Sequence, residues 1–238
     1  MEIEIIVTSL DDLKIVNFFN QKYPDIFTRV ELCKDLEKNG FTANYETIEE
    51  ISKYQTNLKI FALIRRSESY FFDENSYFSM IKDIEYCKSL NIYGVVIGLI
   101  TKDLTIDQLN IEKIKKISHP LEVTFHKAFD HVKDYQKSIN ILKNLNINYC
   151  LTVCDSNEKF LEKNLKNLLT IRKIFPNLII GGGVDLENIK IILKNNFKIA
   201  HLGKAVRENN SFKNPISFTK MEKLAKLIKE RNIHFPKN

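Results

Sequence analysis

This sequence predicts an α/β fold of the (β/α)8 or TIM-barrel type, and three observations carry that expectation. Apolar, β-branched runs of strand length alternate strictly with segments of helical periodicity, there are eight of each, and all fit within 238 residues. Strict alternation implies parallel strands joined by helical crossovers, and eight units in this length match a barrel. A doubly wound open sheet shares the same local signals and is the alternative. No linker rich in Gly, Ser or Pro and no clear repeat divides the chain, so residues 1–238 read as a single domain.

The predicted strands are 3–8, 29–33, 59–65, 94–101, 121–126, 149–154, 178–181 and 199–202, each a short apolar run. The predicted helices between and after them are 11–21, 45–54, 76–90, 106–117, 133–145, 158–175, 186–195 and 217–231. Asp11 and Asp12 stand where the first helix wants an N-cap. Asp185 comes after a glycine turn and is placed to cap the seventh, while Pro176 stops the sixth before the next strand. The longest irregular insertion, 67–75, comes after the third strand and is expected to fold over the barrel mouth as a flap.

Composition narrows the function classes. A hydrophobic fraction of 44% is ordinary for a globular protein, and no apolar run approaches the ~18 residues of a membrane helix. The first residues, Met1-Glu2-Ile3-Glu4-Ile5, carry acids where a secretory signal carries bases, so a soluble, cytoplasmic protein is expected. The net charge of +6 comes from lysines spread along every helix rather than clustered as a nucleic-acid footprint, so no nucleic-acid partner is expected. Cys33, Cys87, Cys150 and Cys154 are too few for a disulfide scaffold and contain no C-x-x-C pair; they read as thiols.

Side chains along a barrel strand alternate between pore and helix layer, and chemistry gathers at the C-terminal strand ends. If Val30 and Leu32 face the helices, then Arg29, Glu31 and Cys33 face the pore; if Val123 and Phe125 face out, Thr124 and His126 face in. The same reasoning places Arg65 and Arg66 at the top of the third strand and points Thr152 and Cys154 into the sixth. Arg29 with Glu31 reads equally as a buried structural pair. His126 lies at a strand end, where a site is expected, and Asp130 either orients it or caps the next helix. Gly181-Gly182-Gly183 and then Gly203-Lys204, with Arg207 nearby, suggest an anion pocket at the loops after strands seven and eight. For a metal, Cys33, Cys150 and Cys154 are the soft candidates, and His126 and His201 are borderline ligands.

Several of these segments line up with one family. Arg29-Val30-Glu31-Leu32-Cys33, Ile64-Arg65-Arg66, Thr124-Phe125-His126-Lys127-Ala128-Phe129-Asp130, Leu151-Thr152 and Gly181-Gly182-Gly183-Val184 resemble, in order, the motifs of the CutC family. The resemblance implies a single barrel, cytoplasmic and often homo-oligomeric, that binds copper in copper homeostasis. Where many relatives carry first-strand cysteines this chain has Ile5, Ile6 and Val7, leaving Cys33 as the thiol at this end and, with a partner such as His126, the candidate Cu(I) ligand. The residues themselves suggest a second class: an enzyme acting on a small anionic or phosphorylated metabolite. Here His126 and Glu31 would be acid and base, Asp130 or Thr152 would orient them, and Arg65, Arg66, Gly182, Gly183 and Lys204 would hold the anion.

Overall fold

The structure, a computed structural model, describes residues 1–157 and 162–234. Eight parallel strands form it: β1 (Glu2–Val7), β2 (Phe27–Leu32), β3 (Lys59–Leu63), β4 (Gly94–Ile97), β5 (Glu122–Phe125), β6 (Tyr149–Thr152), β7 (Leu178–Ile180) and β8 (Ile199–Leu202). They pair in sequence order, and β8 bonds back to β1, which closes the barrel and removes the open-sheet alternative. The helices are α1 (Leu10–Lys22), α2 (Tyr45–Ser52), α3 (Glu74–Ser89), α4 (Gln108–Ser118), α5 (Tyr135–Asn144), α6 (Leu165–Ile174), α7 (Ile189–Lys194) and α8 (Phe218–His234). Among the described residues, no helix is long and apolar enough to cross a membrane.

Local chemistry explains where the boundaries differ from expectation. The first helix is capped by Ser9, whose hydroxyl accepts from the Asp12 amide, rather than by Asp11 or Asp12. Asp12 is instead buried against Arg207. Asp185 accepts from the amides of Glu187 and Asn188 and so builds a turn, which delays α7 to Ile189. The sixth helix begins at Leu165 after a 3-10 turn at Glu162–Asn164, and the expected start at 158–161 lies outside the described residues.

Two apolar shells arise from the strand period of two. Ile3, Ile5, Val7, Val30, Leu32, Val95, Ile97, Val123 and Phe125 belong to the large cluster between strands and helices. The pore is filled separately by Ile6, Cys33, Phe61, Leu63 and Val96, and by Leu151, Ile179 and Ile199, with Tyr149 packed against both groups. This confirms the expected inward parity of β2 and β5 and reverses it for β6. Tyr149 and Leu151 face the pore, whereas Cys150 and Cys154 join the outer cluster and Thr152 lies on that outer side.

The 67–75 insertion is pinned rather than loose. Arg65 donates to the Glu68 carbonyl at 2.8 Å, and the Ile100 amide donates to the Tyr70 carbonyl at 2.9 Å. The segment therefore bridges the C-terminal ends of β3 and β4 before Asp73 caps α3 through the Ser76 amide.

Candidate functional site

Strand register brings a polar centre into the pore. Glu4 on β1 stands opposite Arg29 on β2 and opposite His201 on β8, and Ile6 stands opposite Glu31 one step nearer the C-terminal end. Glu4 is 0% exposed, Arg29 1%, His201 5% and Glu31 6%, so four ionisable groups are held almost out of water. Such burial is tolerable only where charges are paired. Glu4 Oε2 accepts from Arg29 Nε at 2.6 Å, and Glu4 Oε1 lies 2.7 Å from His201 Nδ1. The Arg29 guanidinium is sandwiched between Phe61, 4.0 Å from its ring centre, and Tyr149, at 4.3 Å, and a second nitrogen reaches Thr124 Oγ1 at 3.4 Å. Gly181 makes room beside them, because a Cβ there would stand 2.5 Å from Leu151 and 3.0 Å from the His201 Cβ.

The two carboxyls end up in opposite states. Burial works against the Glu4 carboxylate, but the Arg29 charge and the His201 hydrogen bond together hold it at about 2. Burial pushes Glu31 up to about 7; His201 and Lys127 pull against the rise, and the Glu4 charge adds to it. Burial disfavours the charged form of His201, yet the hydrogen bond to Glu4 and the charge of Glu31 raise its affinity for a proton overall. Glu31 Oε2 is buried with no hydrogen-bond partner. The Arg29–Glu31 pairing, one of two equal readings of these residues, is thus replaced by Arg29–Glu4, because register sets Glu4 level with Arg29.

His126 occupies a second group at the strand ends. Its Nδ1 accepts from the Ala128 amide at 3.1 Å, and the Tyr70 ring covers it with centroids 5.2 Å apart. A Cβ on Gly98 would fall 2.5 Å from the imidazole, so the ring fits only beside a glycine. Burial, reinforced by the Arg65 charge, lowers His126 to about 3, and the ring is neutral across the physiological range. Arg65 is committed to the carbonyls of Lys38, Gly40 and Glu68. The cleft between these residues holds about 20 Å³, room for roughly one water molecule.

The remaining predicted residues separate from both groups. Asp130 lies in a 3-10 turn after β5, where Oδ1 accepts from Thr152 Oγ1 at 2.5 Å and from the amides of Val153 and Cys154. It ties β5 to the end of β6 in the outer layer, whereas His126 Nδ1 takes its hydrogen bond from the Ala128 amide. Thr152, expected in the pore, gives its hydroxyl to Asp130 instead. Asp130→Ala is expected to destabilise the protein by about 2–4 kcal/mol, because the Thr152 hydroxyl and the Val153 amide lose their buried acceptor and the Cys154 amide loses one of two. Urea denaturation of the variant checks this, and a loss under about 1 kcal/mol would contradict it.

The residues expected to hold an anion fall on separate strand ends and turns. Arg66 forms a two-point ion pair with Asp83 on α3, at 2.7 and 2.6 Å, while still lining the cleft beside Arg65 and His126. Arg207 is buried against Asp12. Gly182 and Gly183 have positive φ, of 93° and 73°, but serve the turn that Asn188 closes through the Gly183 carbonyl, and α7 starts too late to aim its amides there. Lys204 is exposed on its own 3-10 turn. Cys33 is buried in the apolar group with Ile6, Phe61 and Leu63, and burial pushes its thiol well above the ordinary value.

Among the described residues, one cluster of three potential metal ligands occurs, and it is Glu4, Glu31 and His201, with one ligand atom of each within 4.8 Å of the others. Cys33 and His126 belong to no such cluster. Sequence reasoning reaches Glu31 as a site residue and His201 as a borderline ligand, and it misses Glu4. The signal is present, since Glu4 falls on the pore parity between the outward-facing Ile3 and Ile5.

Fold and site together define a closed (β/α)8 barrel whose pore carries a buried carboxylate–histidine–arginine centre. The chain belongs to the CutC family, whose family model matches residues 4–206. It is 32% identical over 209 residues to the copper homeostasis protein cutC homolog of Dictyostelium discoideum, a match covering 74% of each chain. It is 28% identical over 200 residues to a CutC family protein of Pasteurella multocida, covering 82% of this chain and 78% of that one. The crystal structure of the putative copper homeostasis protein CutC from Streptococcus agalactiae superposes with a TM-score of 0.77 at 28% identity, covering 85% of this chain and 98% of that chain.

Proposed function

We propose that this chain serves copper homeostasis in the cytoplasm, and that the polar centre of Glu4, Glu31 and His201, rather than the Cys33 thiol, is its working site. Family membership and the names of relatives support the role. The observation that carries the choice of site is the buried Glu31 oxygen, left without a partner beside Glu4 and His201. Buried polar atoms are nearly always satisfied, so an exception inside a barrel pore points to a bound species. Cu(I) on thiolate does not fit the residues present. Cys33 is a protonated thiol among apolar side chains and shares no ligand cluster with a second soft donor among the described residues.

The test is growth on copper of a bacterial strain lacking its own CutC. The chain is expected to restore tolerance, and Glu31→Gln to fail while Cys33→Ser succeeds. No rescue by the unaltered chain would overturn the role; rescue by Glu31→Gln would overturn the site. A second reading is acid–base chemistry on a small ligand, favoured by one specific observation: Glu4 and Glu31 titrate on opposite sides of the ordinary carboxyl range. A phosphorylated substrate draws no support from Arg66 or Arg207, which are paired with Asp83 and Asp12.

A further inference from the structure

We propose that the pore of this barrel holds a single borderline divalent cation of the Zn(II), Co(II) or Cu(II) class, ligated by the Glu31 carboxylate and by His201 Nε2, with Glu4 orienting the imidazole. This deepens the reading of the polar centre as the working site and rests on it.

The donor set decides the class of ion. One imidazole nitrogen with carboxylate oxygens suits borderline and harder divalent ions, whereas Cu(I) prefers thiolate or thioether. The geometry already has the arrangement seen around metal-bound histidines. His201 Nδ1 is 2.7 Å from Glu4 Oε1. With the proton on Nδ1, that contact is a donated hydrogen bond, which fixes the ring and leaves the Nε2 lone pair for a metal. Glu4 is itself anchored by Arg29, so the second carboxylate is fully committed to positioning.

Charge points the same way. Glu4 and Arg29 neutralise each other, so once a cation has displaced the protons from Glu31 and His201 Nε2, the Glu31 carboxylate is the charge it balances. Lys127, the other cation whose field reaches Glu31, is partly exposed. A cation between Glu31 and His201 would supply the missing partner of Glu31 Oε2 directly. One nitrogen of His201 and one oxygen each of Glu4 and Glu31 lie within 4.8 Å of one another, so Glu31 and the imidazole stand close enough to share one ion after small rotamer adjustments. Glu31 at 6% and His201 at 5% are the least completely buried of the four ionisable pore groups.

The experiment is equilibrium dialysis of the purified full chain, stripped with a chelator, against Zn(II), then Co(II) titration read by its visible d–d absorption. One equivalent is expected to bind. Glu31→Gln, nearly isosteric, and His201→Gln are each expected to weaken binding at least 10-fold, as the loss of one ligand would, and Cys33→Ser to leave it unchanged. Circular dichroism melts establish that each variant is folded, and Glu31→Gln alone suffices if His201→Gln is not. No uptake by the unaltered chain, or equal uptake by Glu31→Gln, would overturn the site, as would loss of uptake in Cys33→Ser. Copper rescue in cells without Zn(II) or Co(II) binding would overturn this cation site alone and leave the copper role standing.

Discussion

Replacing Arg29 by leucine is expected to destabilise the protein by about 3–5 kcal/mol, the usual result of removing one partner of a buried ion pair. The guanidinium is 1% exposed, donates to Glu4 at 2.6 Å and fills the space between Phe61 and Tyr149. Without it, Glu4, which is fully buried, retains His201 alone as a partner. The carboxylate must then take up a proton or remain charged in a low-dielectric pore, and either outcome weakens the fold. Thermal melts should fall by roughly 10 °C, taking about 2–4 °C per kcal/mol for a chain of this size. Adding Glu4→Gln to Arg29→Leu should recover part of the loss, because the stranded charge is gone. A single-variant loss under about 1 kcal/mol, or no recovery in the pair, would refute the buried-pair account.

Glu31→Gln is expected to do the reverse and stabilise the metal-free protein at alkaline pH. In the unfolded chain the Glu31 carboxyl titrates near 4.5, and in the folded pore at about 7. Between those values the folded state holds a proton that the unfolded state has released, so stability contributed by this group falls as pH rises through the window. The rise from 4.5 to about 7 corresponds to about 3 kcal/mol at about 1.4 kcal/mol per unit. Glutamine is never ionised, so its advantage should be near zero at pH 4.5 and approach that full value by about pH 8. Denaturation in chelator-containing buffer at both pH values measures the difference. An advantage that does not grow with pH would show that Glu31 is not a buried, unsatisfied acid.

The barrel was legible because its determinants are local. Each strand announces itself by β-branched apolar runs and each helix by its period, and a closed parallel barrel is a solution that covers both faces of every strand. Alternation also carried the inward placement of Arg29, Glu31, Cys33, Thr124 and His126, since Val30, Leu32, Val123 and Phe125 leave little choice of outward face. In β6 the same rule misled. A hydroxyl and a thiol looked like the polar, pore-facing set, yet Tyr149 is needed inside to stack on Arg29, and Thr152 finds its partner sideways in Asp130. Polarity indicates the pore only where no lateral acceptor satisfies it.

The site depended on pairings that span the whole chain. Glu4 and His201 are separated by 197 positions and meet because β8 closes on β1. Arg66 and Arg207, equally basic in the sequence, are neutralised by Asp83 and Asp12, acids on α3 and α1 that no motif spacing connects to them. Local propensity and side-chain period thus determined, from the sequence by itself, the barrel and the inward placement of Arg29, Glu31, Cys33 and Thr124. Which charges neutralise each other, and that Glu31 is left over, was decided only by tertiary register, because an ion pair or a hydrogen bond forms within about 3 Å and one step along a strand is about 3.3 Å.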